Sequence, residues 1–269
     1  MKFKADIFTL GAPINKKFDL IGVKTPTNID VYFRAKQKEI IDQYAAARIF
    51  MHETETDDWD HWFNKVDDKT ANNAFKLIFT SYFYESALMY YNIIVDLSWV
   101  LCYTTAEFAC TQNGNRVDYS GMKTIEDAAI LLRSAENNVT APTAETNPFG
   151  YLKKMNPIFS QAIDIIINFW DQFSSTKIRR NYNYCKHKGK PAYSEIEKLR
   201  SGRFMDLYLE KGSTGEKTQI ASDIRDVQLQ LSLKEGIDEL YRFDDEFLFP
   251  YIRDLLNELE RVVQPSPMV

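Results

Sequence analysis

Arg180 and His187 stand seven residues apart inside a window, Lys177 to Lys190, that holds six basic residues and no acid. Seven residues make almost two helical turns, so on a helix both side chains project on one side with their backbones about 10 Å apart. The long guanidinium and imidazole arms can then converge on one phosphate. A cationic Arg stabilises the charge of a phosphorane-like transition state, and a histidine, a residue type that titrates near neutrality, can move the proton of an attacking 2'-hydroxyl. Such chemistry needs no metal and no cofactor.

The helix expected to carry the pair opens with Asn156 as N-cap and Pro157 at its first position. It runs to about Lys188, where Gly189 and Pro191 close it. At 100° per residue, Ala162, Ile166, Phe169, Phe173, Tyr184 and His187 all fall within about 40° of Arg180. An apolar stripe thus turns into Arg, Tyr and His in its last turns, opposite a polar side marked by Asp164 and Asp171. That pattern predicts that Arg180 and His187 face a bundle groove or a subunit interface.

The run Arg180-Asn181-Tyr182-Asn183-Tyr184-Cys185-Lys186-His187 resembles the R-x4-6-H motif, with a polar residue directly after the Arg, of the HEPN superfamily (higher eukaryotes and prokaryotes nucleotide-binding). The resemblance covers these eight residues, set in a helical context over 69–190. It implies a helical bundle that dimerises so that two motifs face each other. It also implies a metal-independent endoribonuclease that leaves a 2',3'-cyclic phosphate, of a kind common among toxins and defence effectors. Arg180 and His187 match the catalytic pair and Asn181 the accessory polar position. RNA, a second copy of the chain and a cognate inhibitor protein are the partners to expect.

Two plainer readings stand beside this one. Arg180 and His187 can simply cap and solubilise a helix C-terminus, where cations favour the macrodipole, or the segment can serve a noncatalytic RNA-binding or protein-interaction module. Lys177, Arg179, Lys186, Lys188 and Lys190 are candidates for RNA phosphates, which set affinity without reading bases. Tyr184, like Tyr182, offers a ring for base stacking or for packing.

The elements that must position these residues read as mainly α. Between Pro26 and Gly114 there is no Gly and no Pro, a strong helical signal. One helix is expected from Thr27 or Asn28 to about His52, with Ile29, Phe33, Ile40, Tyr44 and Ala47 near helical spacing. A second runs from about Lys69 to Gln112, apolar around much of its circumference like a central bundle helix. A short helix follows Thr124, and 137–156, with Pro142, Pro148 and Gly150, reads as a loop. A small β-hairpin is expected over about 203–232, where Val227, Leu229, Leu231 and Leu233 alternate with polar residues. A last helix over 233–263 is capped by Ser232 and Glu235, with a possible kink at Pro250. Residues 1–28 form an irregular arm, and 29–269 a single helical domain.

With 269 residues, 45% of them hydrophobic and 14% aromatic, the chain can bury a substantial core. The apolar runs Ile93–Cys102 and Ala162–Trp170 are shorter than the roughly 20 residues a bilayer requires, and each carries an Asp. They read as core helices, and no membrane partner is expected. The net charge of -5 divides into +6 in the Lys177–Lys190 window and -11 elsewhere, which argues against attraction of nucleic acid to the whole surface. Cys102, Cys110 and Cys185 form no even framework, favouring a reducing, cytoplasmic setting.

Several patterns invite chemistry that their spacing does not support. His52 and His61 bracket five acids without the H-E-x-x-H arrangement, so no metal site is expected there. Gly212 to Thr218 lacks a contiguous G-K-[ST] and reads as a hairpin tip rather than a phosphate loop. Asp96 and Asp164, set in apolar runs, must be paired, hydrogen-bonded or turned outward.

Overall fold

A computed structural model describes residues 3–11, 28–56, 67–108, 148–199, 207–211, 215–221 and 228–263. The protein is mainly α, as its sequence predicts. The helices are α1 (Asn28–Glu53), α2 (Lys69–Phe108), α3 (Pro148–Met155), α4 (Ser160–Phe173), α5 (Lys177–His187), α6 (Ser194–Glu197), α7 (Leu233–Phe243) and α8 (Phe249–Val263). Short strands are β1 (Ala192–Tyr193), β2 (Leu207–Lys211), β3 (Glu216–Ala221) and β4 (Gln230–Leu231). The chain divides into two compact units, one built from 47–89 and 177–241, the other from 2–46, 90–176 and 242–269.

The second of these units holds an aromatic core. From α1 come Phe33, Ile40 and Tyr44, all buried, as their helical spacing predicts. Phe169 of α4 stacks on Tyr251 of α8 at 3.8 Å between centroids. Phe173 stacks on Phe243 at 5.3 Å, and Trp99 meets Trp170 edge-on at 4.9 Å. Within that core Asp244 is fully buried and accepts hydrogen bonds from the hydroxyls of Tyr44 at 3.1 Å and Tyr91 at 2.6 Å, which offsets part of the cost of removing a carboxylate from water. Asp244 opens a π-helical turn, Asp244–Leu248, between α7 and α8. The expected effect of Pro250 takes this form: having no N–H, proline leaves the carbonyl four residues earlier without its usual donor, and the wider turn lies directly before it.

In the first unit, Phe83, Tyr84, Ala87 and Leu88 of α2 are buried together with Ile178 and Tyr182 of α5, Ala192, Tyr193 and Ile196. The β1 strand pairs in parallel with β4, Ala192 opposite Gln230 and Tyr193 opposite Leu231. By length and composition α2 could cross a membrane, with a mean hydropathy of 1.2 in its most apolar window, but 67% of that window is buried inside the protein, as in a core helix. The expectation that apolar residues cover much of the circumference of α2, as in a central bundle helix, holds for its later turns, where Leu88, Tyr91, Ile94 and Val95 are buried. It fails early, where Phe75 is 44% and Tyr82 50% exposed.

Three expectations need correction. Part of the predicted loop, Pro148–Met155, is helical: Pro148 stands at the first helical position, where its missing N–H costs nothing, and Phe149 and Leu152 bury one face. The predicted long helix is three pieces, a 3-10 turn at Pro157–Phe159, α4 and α5. Its interruption is Ser174-Ser175-Thr176, where the Thr176 hydroxyl donates to the Phe173 carbonyl at 2.8 Å and that of Ser175 to Gln172 at 3.4 Å. Such side-chain bonds compete with the helical ladder. A hairpin does follow the motif helix, but its second strand is β3, paired antiparallel with β2, while Gln230–Leu231 joins β1 instead. The short helix after Thr124, the helix stop at Asn113-Gly114, Cys110 and the acidic stretch up to His61 lie outside the described residues.

Candidate functional site

The α5 helix starts after the hydroxyl-rich interruption and stops at a glycine. The N–H groups of Lys188 and Gly189 both donate to the Tyr184 carbonyl, at 2.8 and 3.2 Å, and Gly189 adopts φ +111°, a conformation that L side chains rarely enter. Lys186 and His187 occupy the last turn, where positive charge complements the helix dipole.

Burial assigns the faces of α5 unambiguously. Ile178, Asn181 and Tyr182 are buried and Cys185 half-buried, spaced i, i+3, i+4 and i+7. Arg180 and His187 lie about 160–180° away around the helix, and both are exposed. The expectation that they continue the Ala162–Phe173 stripe into a groove is therefore overturned. That stripe belongs to α4, which buries Ala162, Ile166, Phe169 and Phe173, whereas α5 buries Ile178, Asn181 and Tyr182. Arg180 and His187 still share one face, and neither side chain has a hydrogen-bond or ion-pair partner among the described residues.

Asn181 is not brought to that face. It is 2% exposed, and its Nδ2 donates to the Tyr84 hydroxyl at a long 3.5 Å while its Oδ1 has no hydrogen-bond partner among the described residues. Burial pushes the Tyr84 hydroxyl well above its ordinary pKa, with the charges of Cys185, Glu239 and Glu85 adding to the effect and the Asn181 bond opposing it. Tyr84 is therefore a neutral packing group. Burial also raises the Cys185 thiol, to about 11, with Glu85 contributing, so at neutral pH it holds its proton and is no nucleophile.

The flanking cations divide into two groups. Lys186 and Lys188 are exposed, Lys186 at 5.6 Å from the Tyr182 ring centroid. Lys177 pairs with Glu239 of α7 at 2.8 Å, and Arg179 lies over the Tyr182 ring at 5.0 Å. The Tyr184 hydroxyl accepts from the Leu229 N–H at 3.1 Å, tying α5 to the segment before β4. Lys190 is the most engaged: its ammonium donates to Ser81 Oγ at 2.8 Å, pairs with Glu85 at 3.4 Å and sits 3.9 Å from the Tyr82 ring centroid. Glu85 in turn accepts from the Tyr193 hydroxyl at 2.8 Å.

Ser81, Tyr82, Tyr84 and Glu85 are neighbours of the site that the sequence did not single out. The available signal was Ser81 and Glu85, polar residues four apart and therefore on one face of α2. Among the described residues no cluster of three or more His, Cys, Asp or Glu could hold a metal ion. Asp164 turns outward and pairs with Lys153 at 2.5 Å, meeting the expectation for that carboxylate. Comparison with known proteins returned no match to any family model, curated protein or solved structure.

Proposed function

We propose that this protein is a metal-independent endoribonuclease of HEPN type that acts as a homodimer. The observation that carries the reading is that Arg180 and His187 share one exposed face of a helix, without a hydrogen-bond or ion-pair partner among the described residues, and that the end of this helix also exposes Lys186 and Lys188. In the proposed reaction His187 takes the proton of a ribose 2'-hydroxyl as its oxygen attacks the adjacent phosphorus. The O2'–P bond forms and the P–O5' bond breaks, leaving a 2',3'-cyclic phosphate. Arg180 binds the non-bridging oxygens and stabilises their growing charge. The departing 5'-oxygen needs a proton, and one α5 supplies one imidazole, so a second copy of the helix is the economical donor. An outward-facing pair suits such a composite site. Asn181 supports α5 from within and does not touch RNA. A cytoplasmic toxin or defence effector, restrained by a cognate inhibitor protein, is the role such an enzyme would fill.

The second reading is a noncatalytic module that uses the same cationic helix end, favoured by the position of Lys186 and His187 in the last turn, where cations are stabilising without any ligand. Purified protein incubated with RNA in the presence of chelator separates the two. Under the nuclease reading RNA is cut, and Arg180→Ala and His187→Ala each lower the rate by about 100-fold or more. Unchanged cleavage in both variants defeats it.

A further inference from the structure

The early turns of α2 present aromatic side chains to solvent. Phe75 and Tyr82 lie two turns apart on one face, 44% and 50% exposed, with the half-buried Phe79 between them and edge-on to Tyr82 at 6.3 Å. Single exposed apolar residues are ordinary on protein surfaces. An aligned run is less so, and here one ring carries a fixed cation, the Lys190 ammonium at 3.9 Å.

That cation ties the aromatic run to the candidate site. Lys190 follows His187 by three residues, so their α-carbons are at most about 11 Å apart. The ammonium has three N–H bonds, and Ser81, Glu85 and the ring are there to receive them. Lys190, though itself exposed, is held by these contacts and keeps the Tyr82 ring beside the end of α5, and phosphate contacts fall to Lys186 and Lys188, which are exposed and make no ion pair among the described residues.

From this juxtaposition we infer that Tyr82, extended by Phe75, is a stacking platform for the unpaired bases of single-stranded RNA passing Arg180 and His187. The inference takes its ligand from the ribonuclease reading above. Two observations favour a nucleic acid strand over an apolar protein partner. A helix laid on Tyr82 would have to desolvate the Lys190–Glu85 ion pair, whereas a base covers only the ring. The adjacent exposed charge is also cationic, complementary to phosphate. Stacking on an aromatic face accepts any base, because every base has a π face, so the platform selects single strands over duplexes without selecting sequence.

The test uses a fluorescein-labelled single-stranded 2'-O-methyl oligoribonucleotide, which lacks the attacking hydroxyl and cannot be cut, with binding followed by anisotropy. Tyr82→Ala is expected to weaken binding about 5- to 100-fold, Tyr82→Phe by no more than about 2-fold, and the matching duplex to be insensitive to both. Thermal denaturation and sedimentation of each variant accompany the titration. Equal binding by wild type and Tyr82→Ala overturns the platform, as does absence of wild-type binding. A shift in oligomeric state without loss of RNA affinity also overturns it and makes this face a protein contact. Cleavage of unmodified RNA by His187→Ala is scored separately. If it matches wild type while Tyr82→Ala still loses the 2'-O-methyl strand, the nuclease reading falls and the platform stands.

Discussion

At the scale of single residues, the contacts that hold α5 in place lie behind it. Tyr84 is fully buried, edge-on to Tyr193 at 6.3 Å, and packs closely against Gly236. A Cβ on Gly236 would stand 3.0 Å from both Cζ and Oη of that ring. Because the ring is confined by its neighbours, Gly236→Ala should lower stability by about 1–2 kcal/mol in urea denaturation, the overpacking cost exceeding the gain in helix propensity. Stability equal to or above wild type would show that the ring can yield. That Arg180 and His187 share one face of a helix was legible in the sequence, because seven-residue spacing on a helix is a local property. The surroundings of the two residues were not, since inward or outward orientation depends on contacts far along the chain, such as Asn181 with Tyr84.

Among the elements, α7 shows how completely a helix start can be satisfied. The Leu233 and Lys234 N–H groups donate to the Glu195 carboxylate at 2.9 and 3.2 Å, that of Glu235 to Ser232 Oγ at 3.2 Å, and that of Gly236 to the Ser232 carbonyl at 2.9 Å. Three of the four N–H groups that a helix leaves without internal partners, those of Leu233, Lys234 and Glu235, are thereby accounted for, and the Gly236 bond is the first turn of the helix itself. Partial burial raises the Glu195 pKa, but these donors and the Ser232 hydroxyl outweigh it and lower the carboxyl from 4.5 to about 2. A folded carboxyl that releases its proton more readily than the unfolded one contributes stability in full above pH 4.5 and loses it as pH falls toward 2. Glu195→Gln should therefore cost about 1–2 kcal/mol at pH 7, with the difference from wild type shrinking across that acid range. A pH-independent difference would reassign the effect to packing. Ser232 and Glu235 announced this helix start, whereas Glu195, remote in sequence, gave no local sign. The α4–α5 break went unread because Ser and Thr are tolerated inside helices: Ser81 and Ser98 make the same kind of hydroxyl bond, to the carbonyl three residues back, within the unbroken α2.

For the molecule as a whole, the mainly helical class followed from the absence of Gly and Pro between Pro26 and Gly114, a property that needs no tertiary information. The strand pairing was only partly readable, because the parallel partner of Gln230–Leu231 lies 38 residues earlier. The proposed composite site makes a demand on assembly. Activity per subunit should fall as the protein is diluted through its dimer dissociation range, in step with the dimer fraction seen by sedimentation. A species that is monomeric throughout yet fully active would rule out the shared site.

The π-helical turn at Asp244–Leu248 carries one residue more than an α-helix would need to link the same flanks. A surplus of this kind is the mark that a one-codon insertion leaves when a helix absorbs it by bulging instead of rotating everything downstream. Loss of the exposed Glu246 or Phe247 would bring Phe243 and Leu248 to ordinary helical spacing with the aromatic seam on Phe173 and Tyr251 still in phase. The same deletion one turn into α8 would swing Ile252, Leu255 and Leu259 out of the core by about 100°. Length changes in this terminal rod thus have one place where they can be accommodated, and it is marked by the buried Asp244.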